Sequence, residues 1–292
     1  MYFNRSDRYS ASTFSTHIML HYTTKQSIGM MLCLLPLMAL AMDKVTLWNS
    51  GTCPYAQRAW IALKEKGVDF DYKQVDLKDK DATPDFGAAY YKANPNKMSS
   101  SKVPVMLVES ADGDTKYYTE SKVLLEVIEE MFPDGPRLLP DSLDERYRAR
   151  VFGDAVYDSI WGGDRSPYKM VGRKANGEGW DRDKEEEAMC QMLEALDESL
   201  QHFDSEGPFV CGNHFSMAEC ITAPFVQRAD FMLDNYLEMN VAQLCRKRGY
   251  ARAGAWWKAV LDRPSVKETA TPDPNASIQR VIDMMSKAAA TK

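Results

Sequence analysis

The 292-residue chain contains no Cys-x-x-Cys pair. Its six cysteines (33, 53, 190, 211, 220 and 245) follow no regular framework, which argues against a structural zinc site. Histidine is scarce, with four in all, and His17 and His21 fall in an unusual N-terminal segment, so no metal-ligand spacing emerges and no metal is expected. Positive charge is not in excess. A net charge of -6 and a pI near 5.4 argue against broad binding to nucleic acid or anionic membrane. No repeat of solenoid period is visible. What is present is ordinary for a soluble globular protein: 45% hydrophobic and 27% charged residues, in a chain long enough for one large or two average domains. Unpaired thiols in this pattern point to a reducing compartment, cytoplasmic or organellar.

No apolar run reaches the ~20 residues that a spanning helix needs, so no stable membrane span is expected. The longest runs from Gly29 to Met42, interrupted by Pro36. It follows a Ser/Thr-rich stretch, 1–28, with Arg5, Arg8 and Lys25 and one acid, Asp7. This pattern fits a signal-peptide core with a long n-region, part of an organellar transit sequence, or a translated extension. Residues 1–42 are therefore expected to be a leader outside the fold, with Met42-Asp43-Lys44-Val45 as its start.

From Lys44 the pattern alternates. Residues 44–49 read as a strand, 54–66 as a helix and 70–77 as a second strand. Thr83-Pro84-Asp85 opens a helix to about Lys92, ended by Asn94-Pro95. Residues 103–109 and 116–119 form a hairpin across Asp112-Gly113. Glu120-Ser121 then starts a helix with Val123, Leu124, Val127, Ile128 and Met131 as its apolar face. The order is β-α-β-α-β-β-α, with the first two strands parallel and the hairpin antiparallel. Pro133, Gly135, Pro136 and Pro140 mark a linker, 133–141, between a domain of 43–132 and one of 142–292. The second domain shows only helices: 142–161, 181–204, 216–233, 236–248, 251–261 and 275–290. Gly162, Gly163, Gly172, Gly177 and Gly179 make the stretch after the first of these a long loop or a flap over the site.

The strand–helix junction at Thr52-Cys53-Pro54-Tyr55-Ala56-Gln57-Arg58 carries the chemistry. Pro54 suits the first helical position, and Ala56, Ala59, Trp60 and Leu63 form one buried stripe that Gly67 ends. Cys53 then meets the unpaired N–H groups and positive dipole end of a helix, which stabilise a thiolate. The alternative is a small buried core residue. Ala56 stands where a redox motif would carry its second thiol, so the site is monothiol and an external thiol must resolve any mixed disulfide. Arg58 either adds positive potential or serves a surface or interdomain salt bridge.

These motifs and their order resemble the cytosolic glutathione transferases, over roughly residues 43 to 270. Cys53-Pro54-Tyr55-Ala56-Gln57-Arg58 is similar to the cysteine-type classes, omega and lambda. Ala59-Trp60-Ile61-Ala62 and Asn94-Pro95…Lys102-Val103-Pro104 lean toward lambda, whereas Leu77-Lys78-Asp79-Lys80 and Tyr91-Lys92-Ala93-Asn94-Pro95 are similar to omega. The resemblance implies a thioredoxin-like N-terminal domain with a mixed four-stranded sheet, then an all-helical C-terminal domain. It implies glutathione as cosubstrate, with Cys53 catalytic. It also implies a cis Val103–Pro104 bond, with the Val103 backbone paired to the cysteinyl part of glutathione; without it Pro104 reads as a trans proline opening an edge strand. Glu120 would take the γ-glutamyl ammonium and Ser121 its carboxylate, although a plain N-cap needs the same residues. Lys80 would reach the glycyl carboxylate or be solvated surface. Residues 96–102 are longer than the family's usual link at this point. Phe215-Ser216-Met217-Ala218-Glu219 is a capping box with Phe215 as its hydrophobic staple, a structural element.

Implied activities are thioltransfer, deglutathionylation or dehydroascorbate reduction on a small or protein disulfide or other oxidised substrate, by a monomer or homodimer. Conjugation of glutathione should be weak, because a cysteine forms a disulfide with the glutathione sulfur. Tyr157, Trp161 and Phe225 read as core or as cleft lining. The alternative from another class is a non-catalytic small-molecule binding protein or a chloride-channel-like relative on the same fold.

Overall fold

The computed structural model describes residues 43–290, apart from 95, 97–99, 178, 204 and 205 and the side chains of 288–290. The expected leader, 1–42, and part of the 96–102 insertion thus lie outside the described residues. The first strand, β1 (Lys44–Asn49), is buried from Val45 onward because both faces and both edges are covered. It pairs in parallel with β2 (Phe70–Gln74) and antiparallel with β3 (Val105–Glu109), which pairs antiparallel with β4 (Thr115–Thr119). The sheet order is β2-β1-β3-β4. The parallel pair is joined through α1 (Pro54–Glu65), as a crossover requires. Between β2 and β3 come one 3-10 turn (Lys80–Ala82) and α2 (Phe86–Ala93), and α3 (Ser121–Met131) follows β4. The β-α-β-α-β-β-α order of a thioredoxin-like domain is therefore present.

On α3 the buried residues are Leu124, Leu125, Ile128 and Glu129. Val123, expected on the apolar face, is 57% exposed, and Leu125 takes its place. Which side of α3 is covered is set by the elements packed on it, among them α1 and α7; the chain enters the helix through Glu120 at φ 70°, ψ 107°.

The second part of the chain is helical: α4 (Leu143–Trp161), α5 (Pro167–Asn176), α6 (Arg182–His202), α7 (Met217–Asn235), α8 (Val241–Arg248), α9 (Ala251–Asp262), α10 (Pro264–Glu268) and α11 (Pro274–Ala290). The Gly-rich stretch after α4 is not a loop, since α5 occupies its middle. Ser166 caps α5 by accepting from the Tyr168 N–H, Pro167 is its first residue, and Gly177 ends it at φ 69°. Gly172 sits inside α5 for packing, because an added Cβ would fall 2.8 Å from Met285 Cβ of α11. The single helix expected over 236–248 is shorter. Asn240 caps α8 by accepting from the Gln243 N–H, after a turn in which Glu238 has φ 58°. α10 lies in a segment where no helix was expected.

α7 is the pillar of this half, buried along most of its length. Its capping box forms as the sequence suggests. The Ser216 N–H and Oγ donate to Glu219 Oε2 at 2.9 and 2.7 Å, and Ser216 Oγ accepts from the Ala218 N–H. Trp256 Nε1 of α9 also donates to Glu219, at 3.0 Å, so the box fastens two helices.

α1 is buried nearly all round, through Ala56, Gln57, Arg58, Ala59, Ile61, Ala62 and Leu63, because it packs against β1 and α3 on one side and α7 on the other. Ile61 and Leu63, fully buried here, contribute about 1.5–3 kcal/mol each. The far end of α1 meets the segment after α3. A Cβ on Gly135 would sit 2.4 Å from the Lys66 carbonyl oxygen, a backbone atom that cannot swing away. Gly135→Ala should therefore lower stability by about 1–3 kcal/mol in urea unfolding; an unchanged midpoint would show that this approach is not tight.

Candidate functional site

β1 delivers the chain to Cys53 at the end of the parallel strand pair. The Cys53 N–H donates to the Ser50 carbonyl at 2.9 Å, and Cys53 is the N-cap of α1 at φ -94°, ψ 116°, with Pro54 in the first turn. No side chain caps this helix, so its first N–H groups have no side-chain acceptor. The thiol is half-buried rather than a core residue.

A cavity of about 430 Å3 opens at Cys53. Lys80, Val103, Glu120 and Ser121, all expected at the site, line it together with Cys53. Pro104 is next to the lining: the Val103–Pro104 bond is cis, and the Thr119 hydroxyl donates to the Pro104 carbonyl at 2.8 Å. Glu120 is the N-cap of α3, in a backbone region that costs a non-glycine residue energy, and its side chain makes no cap bond. Ser121 is inside the helix, so the plain N-cap reading does not hold. Its hydroxyl accepts from Arg58 Nη1 at 3.3 Å, which leaves its own proton free to point into the cavity. Lys80 is partly buried and donates to the Ser101 carbonyl at 2.6 Å, so it bridges to the 96–102 stretch instead of standing in solvent.

Tyr55, Leu77, Lys102 and Thr119 also line the cavity and were not anticipated as site residues. Lys102 precedes the Val-Pro pair, and that adjacency was its one available signal. The Tyr55 hydroxyl is hydrogen-bonded to that of Tyr157 at 3.0 Å. Burial first, then this bond, push the Tyr55 phenol well above its usual value, so it stays protonated. Tyr157, Trp161 and Phe225 pack edge-on around Tyr55.

Arg58 makes no salt bridge among the described residues, contrary to one of its two expected uses. It is 1% exposed, donates through Nε to the Ile221 carbonyl at 2.9 Å, and is faced by the rings of Tyr157, Phe225 and Tyr55 at 4.6, 4.9 and 5.3 Å. The cavity thus combines a thiol, two helix N-termini, Lys80, Lys102 and a buried guanidinium behind Ser121. Cys190, Cys211, Cys220 and Cys245 are unpaired, and none of them lines it. A larger cavity, about 650 Å3, lies between α4 and α6 and shares no residue with this one. Among the described residues no helix is long and apolar enough to cross a membrane.

A thioredoxin-like domain followed by a helical one, with a thiol, a cis-proline and a helix N-terminus around one cavity, defines a class of thiol-handling transferases. Family models agree: Glutathione S-transferase, N-terminal domain, matches residues 52–131, and Glutathione S-transferase, C-terminal domain, matches 179–260. The chain belongs to the cytosolic glutathione transferase superfamily. It is similar to Glutathione S-transferase L2, chloroplastic, of Arabidopsis thaliana, at 27% identity over 80% of this chain and 68% of the relative. It is also 27% identical to the Probable glutathione S-transferase DHAR1, cytosolic, of Oryza sativa subsp. japonica, over 75% of this chain and 84% of the relative. Among solved structures it resembles glutathione transferase Omega 3C from Trametes versicolor, with 25% identity, a TM-score of 0.61, and 85% and 94% of the two chains covered. Against the trimeric glutathione transferase TDR1 of Leishmania, it spans about half (48%) of that chain.

Proposed function

We propose that the protein is a glutathione-dependent thiol transferase or reductase working through a Cys53–glutathione mixed disulfide. The observation that carries this reading is Cys53 at the uncapped start of α1, facing a cavity that no other described cysteine lines. The Cys53 thiolate attacks the glutathionyl sulfur of a disulfide. A new S–S bond forms, the old one breaks, and the departing thiolate takes a proton from water. A second glutathione then attacks the mixed disulfide, releasing oxidised glutathione and the Cys53 thiolate. Thioltransfer and deglutathionylation are the reactions this cycle serves; dehydroascorbate reduction joins it at the same mixed disulfide, after Cys53 adds to a substrate carbonyl carbon and a first glutathione attacks the Cys53 sulfur, the C–S bond breaking with its electron pair left on the departing ascorbate.

The γ-glutamyl carboxylate sits on Ser121 and the first N–H groups of α3, and Glu120 takes the ammonium. The Val103 backbone, held by the bond to Pro104, pairs with the cysteinyl residue. Lys80 and Lys102 stand at the glycyl end. Tyrosine-type activation of the glutathione sulfur is not favoured, because the Tyr55 hydroxyl is already hydrogen-bonded to that of Tyr157 within a ring of aromatic side chains. The relatives named above for chloroplast and cytosol fit an organellar or cytoplasmic location, and a monomer or homodimer is expected.

The test is turnover of 2-hydroxyethyl disulfide with glutathione as reductant. The account expects saturable turnover. Ser121→Ala should raise KM for glutathione about tenfold, the loss of one hydrogen bond to a charged group, while kcat changes by less than about threefold. An unchanged KM would remove Ser121 from the glutathione site.

A further inference from the structure

Two arginines packed against α1 are buried without an ion pair: Arg58, behind Ser121, and Arg228, which reaches α1 through Gln57 and lines a separate cavity with Asp230 and Asp234. Arg58 is 1% exposed and Arg228, on α7, is 5% exposed. A guanidinium taken out of water is costly unless a carboxylate meets it. Among the described residues neither is in an ion pair. Asp154, the carboxylate that acts on Arg58, is itself paired with Lys122 at 2.9 Å. Arg228 Nη1 donates to Gln57 Oε1 at 2.5 Å and to the Pro224 carbonyl at 2.8 Å. Arg58 Nη2 and Arg228 Nε and Nη2 are buried with no partner, as is the hydroxyl of Tyr168, which lies within electrostatic reach of Arg228.

Both guanidiniums act electrostatically on Cys53, and the Gln57 that Arg228 holds is one helical turn beyond it. Burial lowers the pKa of each, yet a guanidinium remains charged at any physiological pH. The γ-glutamyl carboxylate, reached through Ser121, answers Arg58. No carboxylate among the described residues answers Arg228. A positive charge of this kind, away from solvent, is poorly screened by salt.

We propose that Arg228, a buried cation that no carboxylate among the described residues meets, makes this site selective for second substrates carrying negative charge, disulfides or oxidised acids bearing a carboxylate, over neutral and cationic ones of similar size. This rests on the thiol-transfer reading of Cys53. Arg228 acts as a specificity-setting residue through its field, without touching the substrate.

The experiment uses the full chain and three mixed disulfides of glutathione, with 3-mercaptopropionate, 2-mercaptoethanol and cysteamine. Each kcat/KM is divided by the rate of uncatalysed exchange with glutathione, which removes differences in leaving-group basicity. The expected order is carboxylate, neutral, ammonium, with at least tenfold between the ends. Arg228→Gln should narrow that ratio at least threefold, and Arg228→Lys, which keeps the charge, should preserve most of it. The wild-type series decides even where a variant folds poorly. Normalised rates within twofold of one another, or a ratio that Arg228→Gln leaves intact, overturn the proposal. No turnover of any of the three, with no adduct on Cys53, overturns the thiol-transfer reading, and this selectivity with it.

Discussion

Cys53→Ser is expected to lose thiol transfer by a factor on the order of 10^3 or more, because the protein's own nucleophile is gone and an alcohol forms no mixed disulfide. The same variant should gain glutathione conjugation. A hydroxyl at the start of α1 can donate a hydrogen bond to the glutathione thiolate, which a Cys53 thiolate in the same place cannot do and would repel. The pair of assays is 2-hydroxyethyl disulfide reduction and conjugation to 1-chloro-2,4-dinitrobenzene, with both proteins at equal concentration. A variant that keeps its disulfide turnover would remove Cys53 from the mechanism.

The second large effect concerns stability. Glu129 of α3 is buried, and its carboxylate accepts from Lys66 Nζ at 2.9 Å, Arg137 Nε at 2.8 Å, and the Leu138 and Leu139 N–H groups at 2.9 and 3.3 Å. Lys66, at the C-terminal end of α1, has a fully buried side chain. Removing the carboxylate strands that ammonium and two backbone donors. Glu129→Ala should therefore cost about 3–5 kcal/mol in urea unfolding. Burial pushes the Glu129 carboxyl up, and the four hydrogen bonds together outweigh it, so its pKa is lowered. A carboxyl depressed in the folded state contributes stability that is present above its unfolded value, about 4.3, and is lost as pH falls through the folded value. The urea midpoint of the wild type should fall below about pH 4, and that part of the fall should be missing in the variant. A variant within about 1 kcal/mol of wild type at pH 7 would show that the cluster is not what joins α1, α3 and the following segment.

The strands and most helices were legible because their hydrophobic periods are clear and their ends carry ordinary signals: Pro54 opening α1, Gly67 just past its end, Ser216 and Glu219 boxing α7. The Gly-rich stretch misled because glycine counts against a helix, and the reason Gly172 belongs in one, Met285 of α11, is more than a hundred residues away. The cap signal, Ser166-Pro167 with Gly177 after it, was present but outweighed. Val123 shows the limit of a stripe read from spacing, since the side of a helix that is covered depends on the elements packed against it, here α1 and α7 among them. At the site, Cys53 and the Ser121 position were readable locally. The cis bond, the γ-glutamyl roles and Lys80 came from resemblance. The burial of Arg58 had no local signal, because it depends on Ile221, Phe225 and Tyr157 closing over α1 from another part of the chain.

The measurement that bears most directly on the central claim is the intact mass of the full chain after oxidised glutathione at neutral pH, followed by peptide mapping. The account predicts one glutathione per chain, on Cys53, removed by added reduced glutathione. Burial holds the Cys211 thiol up at about 12 and Cys245 at about 11, so both should stay unmodified. A chain that takes up no glutathione, or takes it elsewhere while Cys53 remains a free thiol, would contradict the account.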